Sequence, residues 1–504
     1  MIQAVTARNR SALLALGLLL FSGLSAQEKA DRIRIRQADE GYYKKGGERI
    51  NRLIGSVIFE HEGALLHCDS AWLYADQNLL EAFENVHVIQ DDTIHLYSDY
   101  LRYNGNTRLA EADRNVTLRD PSMTLTTDHL DFDRNTQTAD YRTGGVIVDE
   151  ENTLRSLKGI YFSRSRTFHF STDVELTNLR YEMFSDTLRY HSSTKVARFL
   201  GPSRILSDSS RIYCENGFYD TRSDIAQFKQ NAELWDGPQR LKGDSLFYDR
   251  NQGLGKAFGQ VSLLDTVENS LITGQRGDYQ EFPEMAAVGG EPLYSLFESG
   301  DSLHIHGDSI FYLGDSLGHG LLKIFHRVRI FREDMQGVCD SLTYSSIDST
   351  FRLYDAPALW SGKSQMTGDT IRLEMRLQKM DSLKIDGNAF VLSKDSLEHF
   401  NQVRGKRMKG NFHDGELRNM NSYGNGQTVY YAQEDDGDYI GVNRTDCSNI
   451  KMHFRDREID RVTFLVKPVS NLYPMSKVPE GELELKGFQN RFNERPLDKA
   501  SVFD

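Results

Sequence analysis

The chain has 504 residues, a formal net charge of −13, 39% hydrophobic residues and 11% aromatic residues. That aromatic content excludes a solvated, unfolded polymer. The acidic balance, without a basic block, argues against a nucleic-acid partner, because phosphate neutralisation dominates such affinity. The length suits about three ordinary domains or one long repetitive one.

The first segment, residues 1–26, has the features of a secretory signal peptide. Arg8 and Arg10 precede the apolar run ALLALGLLLFSGL, and small residues follow up to Ala26. This order of a basic head, a short apolar core and a small-residue end is typical of a cleaved signal. The run is shorter than the roughly 20 residues of a membrane span, so an uncleaved anchor helix is the less favoured alternative. We therefore expect an exported, soluble protein.

From about residue 50 the chain repeats itself with a period of about 29 residues. The segments are CDSAWLY, SDYLRY, TDHLDF, SLKGIY, SDTLRY, CENGFY, GDSLFY, GDYQEF, GDSIFY, CDSLTY and GDTIRL. Their second residue is acidic in ten of the eleven, and the residue four positions later is aromatic in nine. Positions two and four residues after the acid share one face of a strand.

A second phase follows about 17 residues later in each unit, as in NVHV, NVTL, DVEL and QVSL. Its last residue is always apolar, so stacked units would align these residues in a stripe. We take this stripe as the candidate lipid-binding site, with the residues Val88, Leu118, Val148, Leu176, Ile205, Leu234, Leu263 and Ile330. An open apolar trough and a closed, filled core both agree with this pattern.

The periodicity predicts an all-β fold. Short alternating stretches are separated by polar corners, with no convincing helical period. A single unit cannot bury its own apolar face, whereas stacked neighbours can. We therefore predict an elongated solenoid of ~29-residue repeats.

Phrases such as SDYLRYNGNTRLAEADRNVTL and GDSLFYDRNQGLGKAFGQVSL resemble the OstA family of LptA-like periplasmic lipopolysaccharide-transport proteins, in a long form of Bacteroidetes type. The resemblance implies an antiparallel β-jellyroll with a V-shaped apolar groove that holds lipid A acyl chains. It also implies the periplasm, near the inner face of the outer membrane. The implied partners are lipopolysaccharide, transport components joined through strand edges, and other copies joined end to end.

These observations divide the chain into four parts. They are the signal peptide, a lead-in over residues 27–49, a repeat domain over 50–425 that could comprise two or three OstA-like modules, and a β-rich tail or cap over 426–504.

The repeated acids, such as Asp69, Asp186 and Asp369, admit two interpretations. One acid per repeat is sparse for calcium, which gathers several oxygen ligands in a short loop. The favoured interpretation is a corner residue whose carboxylate accepts a local backbone N–H. We predict no metal site and no cofactor.

Cysteine spacing argues against disulfides and a metal site, and the absence of known motifs argues against catalysis. Cys68, Cys214 and Cys339 occupy the same position in distant units, too far apart for a disulfide, which requires Cα atoms within roughly 7 Å. No hydrolase, metalloprotease or dinucleotide motif is present. His304 and His306 share a strand face, for which solvation is favoured over metal binding. We predict a non-enzymatic lipid carrier, with a polysaccharide-binding or structural repeat protein as the alternative.

Overall fold

The computed structural model describes residues 31–43, 49–298, 301–376, 379–395, 398–413, 416–434, 438–455 and 458–504. The predicted signal peptide lies outside these residues. The chain divides into an N-terminal unit, Met1–Ala112, and a C-terminal unit, Asp113–Asp504. Almost every described element is a β-strand, and the described strands pair in antiparallel fashion. The predicted all-β antiparallel repeat fold is therefore confirmed.

The N-terminal unit contains six strands, and a seventh, β7 (Leu109–Asp120), begins there and ends in the C-terminal unit. β3, β4, β5 and β6 pair in chain order, and β1 and β2 pair side by side along β3. The six strands are β1 (Arg34–Gln37), β2 (Glu40–Tyr43), β3 (Ile50–His61), β4 (Ala64–Tyr74), β5 (Leu79–Gln90) and β6 (Ile94–Asn104).

The C-terminal unit continues the same pattern, with each strand or strand pair bonded to the next along the chain. Its first strands are β8 (Met123–Asp133), β9 (Thr138–Tyr141), β10 (Gly145–Val148), β11 (Asn152–Ser156), β12 (Lys158–Phe162), β13 (Thr167–Asn178), β14 (Glu182–His191), β15 (Val196–Leu206), β16 (Ser210–Asp220), β17 (Ile225–Asp236), β18 (Gln239–Asp249), β19 (Leu254–Asp265), β20 (Ser270–Gln280), β21 (Met285–Gly289), β22 (Leu293–Glu298), β23 (Asp301–His306) and β24 (Ser309–Gly314).

The remaining elements are β25 (Gly320–Arg332), β26 (Met335–Ser345), β27 (Thr350–Tyr354), β28 (Ala358–Ser361), β29 (Ser364–Thr367), β30 (Thr370–Arg376), β31 (Lys379–Lys394), β32 (Phe400–His413), β33 (Glu416–Gln433), β34 (Tyr439–Arg455), β35 (Glu458–Leu465) and β36 (Val469–Tyr473), followed by 3₁₀ turns at Met475–Lys477, Glu480–Glu482, Phe492–Glu494 and Ala500–Phe503. Within the described part of the chain, no helix has the length and apolar character to cross a membrane. The predicted domain boundaries stay predictions, and β33 runs across residue 425.

Nearly every long strand bends at its middle, where the pairing register shifts. In β17 the shift falls between Lys229 and Ala232, and Gln230 and Asn231 there have positive φ. Because such a bulge redirects a strand, each strand contributes to two arms that diverge from the bend. We call the part that carries the second-phase apolar residues the first arm, and the part that carries the repeated aromatic residues the second arm.

The repeated acids lie at these bends. The carboxylate of Asp369 accepts a hydrogen bond from the side-chain amide of Asn388 (3.0 Å), and that of Asp69 accepts one from Asn85 (2.7 Å). Asn388 and Asn85 both have positive φ on the neighbouring strand. The acids therefore do lie at corners, as predicted. At these positions, however, the carboxylate accepts from a side-chain amide across the bend and not from the predicted local backbone N–H. No group of acids, histidines or cysteines suited to a metal occurs in the described ranges.

One repeat is displaced from its predicted phase. Tyr279 pairs with Gly255 in the aromatic position, whereas Phe282, the residue predicted there, lies in a turn and is 81% exposed. The corner position is then Gln275 rather than Asp278, since Gln275 packs over Gly290 of the neighbouring strand as Asp369 packs over Gly387.

The tail folds back onto the sheet after β36. Leu485 and Val502 are buried, and Phe492 packs against the cluster of Val338, Ala358 and Trp360. The side chain of Gln365 donates to the carbonyl of residue 489 (2.7 Å) and accepts from the N–H of residue 491 (2.8 Å). Residues 474–504 thus cover part of the outer surface of β23–β32, and we call them the strap.

The two histidines of β23 have structural roles. His304 is buried and its Nδ1 lies 2.9 Å from the hydroxyl of Ser295. His306 bonds to the carbonyl of Pro292 (2.8 Å) and its ring lies 4.7 Å from that of Phe503 in the strap. The expected solvated face is therefore wrong for this strand.

Candidate functional site

A continuous row of apolar residues crosses the first arm of the C-terminal unit. Each member is the direct cross-strand neighbour of the next. We call this the inner row: Leu125, Ile147, Leu154, Leu176, Met183, Ile205, Ile212, Leu234, Leu241, Leu263, Ile272, Tyr294, Ile305 and Ile330.

Five of the eight residues chosen from sequence belong to this row: Leu176, Ile205, Leu234, Leu263 and Ile330. Leu118 is also buried in the C-terminal unit. Val88 lies in the N-terminal unit, half-buried between its partners Leu66 and Leu96.

Val148 is the exception. It pairs with Thr153 and Thr124 and is 47% exposed, while its neighbour Ile147 occupies the inner row and is buried. Because side chains alternate between the faces of a strand, a one-residue error in register places a residue on the opposite face. The phrase GVIV contains apolar residues at both positions, so the repeat pattern alone did not separate them.

Nine of the fourteen inner-row residues are absent from the eight residues chosen from sequence. Ile212, Leu241, Ile272 and Ile305 lie on the alternate strands, each three residues before the corner residue of its repeat. The same position carries Leu66, Leu96 and Leu125 in earlier repeats. This recurring apolar residue ahead of the repeated acid was the available signal, and it doubles the density of the row.

Exposure divides the inner row into three stretches. From Leu125 to Ile205 and from Ile305 to Ile330 its members are buried. Between these stretches six consecutive members are only partly buried: Ile212, Leu234, Leu241, Leu263, Ile272 and Tyr294. The last two border the next buried stretch and pack against its core. We call residues 212–294 the open segment.

The base of the open segment is apolar, and small side chains predominate there. Beside the bend lie Gly217, Phe228, Ala232, Gly243, Leu246, Ala257, Val261, Gly274 and Gly277. Most of these residues are buried. Farther from the bend both arms become accessible, and Tyr279 on the second arm is 40% exposed. A buried base with accessible walls is the geometry of an open trough.

Hydrogen bonds between the arms close the preceding stretch, residues 113–206. The hydroxyl of Tyr161, on the second arm, donates to the carboxylate of Asp120 at the end of the first arm. Tyr190 donates in the same way to Asp149 (2.9 Å), which also pairs with Lys195 (3.0 Å). Burial, reinforced by these acids, raises the pKa of both tyrosines, so both stay protonated donors.

Asp149 is the centre of this closure. Burial alone would raise its pKa, but the backbone N–H of Glu151 and the ammonium of Lys195 hold that pKa below its usual value. Its carboxylate is therefore ionised and bonds to groups of both arms. A further ion pair, Arg180 with Asp224 (3.7 Å), links the arms at the border of the open segment.

Within residues 207–297, all of which are described, no hydrogen bond or ion pair between side chains links the two arms. The hydroxyl of Tyr219 donates to Asp224 (2.7 Å) and that of Tyr248 to Glu281 (3.4 Å), both on the same arm as the tyrosine. The open segment thus has tyrosines at the same repeat position as the preceding stretch, but their hydroxyls do not bond to the opposite arm. The gap between the ends of the two arms, which we call the mouth, therefore stays accessible.

The following stretch, residues 303–391, is closed by side-chain volume. Met335 and Met380 are buried beside Ile305 and Ile330. The cavity that remains among these residues has a volume of about 20 Å³. Such a cavity holds about one water molecule and cannot admit an acyl chain. We call this stretch the closed segment.

Family comparison gives an independent result for the N-terminal third of the chain. Residues 30–186 match the family model for OstA-like proteins. This region is OstA-like. The resemblance recognised in the repeated phrases is therefore confirmed there, and the open segment lies C-terminal to the matched residues.

Comparison with solved structures gave weaker similarities. LptH of Pseudomonas aeruginosa, the LptA-homologous periplasmic component of the lipopolysaccharide transport device, shows 12% identity over 21% of this chain and 79% of its own, with a TM-score of 0.19. The extracellular domain assigned to a one-component system of B. thetaiotaomicron shows 8% identity over 88% of this chain and 99% of its own, with a TM-score of 0.08. No curated protein sequence matches the chain.

Proposed function

We propose that the protein binds lipid acyl chains in the open segment and acts in lipopolysaccharide transport to the outer membrane. The observation that carries this proposal is the run of six partly exposed inner-row residues between two buried stretches of the same row. In the buried stretches, other side chains of the protein cover the inner row. In the open segment a ligand with a hydrocarbon chain could cover it instead. The role is one of binding and transfer, without catalysis.

The dimensions and energetics suit an acyl chain. Six strands spaced about 4.8 Å apart give a trough of roughly 24 Å. One leaflet of a bilayer has about 15 Å of hydrocarbon, so an extended acyl chain fits within that length. Each buried methylene contributes about 0.8 kcal/mol, so binding needs no specific polar contact.

The turns at the mouth also favour an apolar ligand. Val267, at the end of the first arm, and Phe282, at the end of the second, are both largely exposed. Each turn therefore presents an apolar side chain to solvent where a lipid would enter.

The OstA-like region supports the cellular setting. A signal peptide over residues 1–26 would export the chain to the periplasm, in line with its family resemblance. We expect lipid A chains as the natural ligand and membrane-bound transport components as partners.

Unpaired strand edges supply a means of joining such partners. Among the described residues β1 and β2 pair only with β3, and β35 and β36 pair only with β34. An unpaired edge presents free backbone donors and acceptors to another strand. We infer that other transport proteins, or further copies of this chain, add strands at these edges.

Site-specific photo-crosslinking tests the trough. A photoreactive residue at Leu241 or Ile272 should capture lipopolysaccharide in cells, whereas one at Leu176 or Met183, in the buried stretch of the same row, should not. Lys256, exposed on the outer surface of β19, is the outward control. Capture at Lys256 with none at Leu241 and Ile272 would reject the trough.

A filling substitution gives a second test that leaves every existing side chain in place. A Cβ at Gly277 would lie 3.5 Å from Val261 and 3.6 Å from Ala257, which are ordinary contacts. Gly277→Leu should therefore fill the base of the trough and reduce lipid copurification. Arg276→Leu, one residue away on the outer face, is the matched control and should leave copurification unchanged.

A further inference from the structure

A second concave site lies on the outer surface of the C-terminal unit, on the face opposite the inner row. It is formed by the second-arm parts of β12–β15 and has a volume of about 570 Å³. That volume falls in the range of small-molecule sites, about 300–1,000 Å³. Its lining includes Phe162, Thr167, His169, Arg189, His191 and Arg198.

Two arginines dominate this outer groove. Arg189 and Arg198 are direct cross-strand partners on β14 and β15. Like charges in directly opposed positions destabilise a sheet. Neither arginine forms an ion pair with a carboxylate in the part of the chain that the structure describes, so the repulsion between them is not offset by the protein.

Neighbouring acids are already engaged. Asp140, farther along the same row, pairs with Arg142 (3.0 Å). Asp220, opposite Val196 of the groove, accepts the backbone N–H groups of residues 222 and 223 in its own turn. The groove therefore has an unbalanced positive charge.

Aromatic and polar groups surround the two guanidinium groups. The ring of Phe162 lies 4.9 Å from that of His169, and the guanidinium of Arg198 lies 5.8 Å from the ring of Phe218. Burial, followed by the charge of Arg189, lowers the pKa of His169, so its neutral ring can both accept and donate hydrogen bonds at neutral pH. Thr167 adds a hydroxyl at the wall.

We propose that this outer groove binds an acidic saccharide. A phosphate or carboxylate bridges Arg189 and Arg198, since planar guanidinium groups match such oxygens in bidentate geometry. The sugar ring lies against Phe162, and its hydroxyls bond to Thr167 and His169. The site does not depend on the lipid trough, because it lies on the other face of different strands.

Titration of the purified full chain with glucose 1-phosphate, inorganic phosphate and glucose at constant ionic strength tests the proposal. Glucose 1-phosphate should bind more tightly than phosphate, and glucose should not bind. Arg189→Gln with Arg198→Gln should weaken glucose 1-phosphate binding by about tenfold or more, as expected for lost hydrogen bonds to a charged group. Phe162→Ala should reduce glucose 1-phosphate binding and leave phosphate binding unchanged.

Arg211→Gln is the matched control, since Arg211 is an outer-face arginine stacked on Trp235 (4.5 Å), away from the groove. The double glutamine variant should unfold at no lower temperature than the native chain without ligand, because it removes a repulsive pair. The proposal is overturned if glucose 1-phosphate does not bind, binds no more tightly than phosphate, or binds the double variant as well as the native chain. Since all ligands here lack a lipid, failure of the trough would not affect the result.

Discussion

The open and closed segments have the same backbone plan but different side chains. In both, antiparallel strands bend at the repeated corner and carry the same cross-strand rows. In the row beside the bend, the open segment has Gly217, Phe228, Leu246, Ala257 and Gly277, of which three are glycine or alanine, whereas the closed segment has only large aliphatic residues there. Those residues are Ile310, Ile324, Leu342, Leu353, Ile371 and Ile385. Access to the interior is therefore set by side-chain volume rather than by topology.

The outer surface is also more buried in the closed segment than in the open segment. The closed segment is covered by the strap, so parts of its sheet are buried on both faces. In the open segment the outer surface carries Trp235 between Arg211 and Arg240 (4.5 and 5.2 Å). We infer that the closed segment contributes most of the free energy of unfolding of the C-terminal unit. The open segment contributes less, because its interior is less densely packed and is accessible to ligand.

Removing the strap should have the largest effect. Truncation after Tyr473 removes Leu485 and Val502, and two buried apolar side chains contribute roughly 3–6 kcal/mol. The free energy of unfolding of the closed segment should fall by that amount. Trp360, in a chain whose other two tryptophans are replaced by phenylalanine, should shift its emission to longer wavelength.

The matching control is a chain that retains only Trp235. Its emission and unfolding midpoint should change little on truncation, because Trp235 lies in the open segment. An equal loss at both tryptophans would contradict the inference that the closed segment contributes most of the free energy of unfolding.

A matched pair of isoleucines compares the two interiors directly. Ile330→Ala should cost about 2–5 kcal/mol, since it leaves a cavity in a packed core. Ile212→Ala, in the same inner row but only partly buried, should cost only about 1 kcal/mol, because less surface is buried and solvent can fill the space. Urea unfolding, followed by Trp360 and Trp235 respectively, measures both. Equal costs would show that the open segment is packed like the closed one.

A pair of glycines separates the bend from the trough wall. Gly387 has φ of +70°, and a Cβ there would lie 2.0 Å from the carboxylate of Asp369, so Gly387→Ala should cost more than about 1 kcal/mol. Gly277→Ala should be neutral or slightly stabilising, because its Cβ meets only ordinary contacts and a methyl restricts the unfolded chain. Thermal unfolding of the two variants provides the comparison. Destabilisation by Gly277→Ala would show that the base of the trough has no spare volume.

The repeat could be predicted from sequence because its signals are local and recur many times. The acid, the aromatic residue and the second-phase residue each return at a nearly fixed spacing, and this was sufficient for the all-β antiparallel fold. Errors arose where apolar residues stood at two adjacent positions, as at Ile147 and Val148, or where the small-acid phrase was out of phase with the bend, as at Asp278, three residues after the corner residue Gln275.

The open segment could not be predicted, because it depends on relations between distant residues. Tyr190 and Tyr248 occupy the same repeat position, yet one bonds across the mouth to Asp149 and the other to Glu281 on its own arm. The strap was likewise hidden, since the partners of Gln365 and Gln402 lie more than 80 positions away along the chain. Single repeats do not reveal such contacts.

The smallest expected effect is a pH dependence confined to the closed segment. Burial alone would raise the pKa of Glu374, but hydrogen bonds from Lys384 and Ser382 hold that pKa below its ordinary value of 4.5. A carboxylate with a lowered pKa in the folded state stabilises the protein above pH 4.5, and this contribution is lost as the pH falls further. Because Glu374 is nearly one-third exposed, screening keeps the effect below about 1 kcal/mol. Glu374→Gln should therefore flatten the pH dependence, below pH 4.5, of the unfolding transition that Trp360 reports. The unfolding transition that Trp235 reports should keep its pH dependence. An equal change at both tryptophans would place the interaction outside the closed segment.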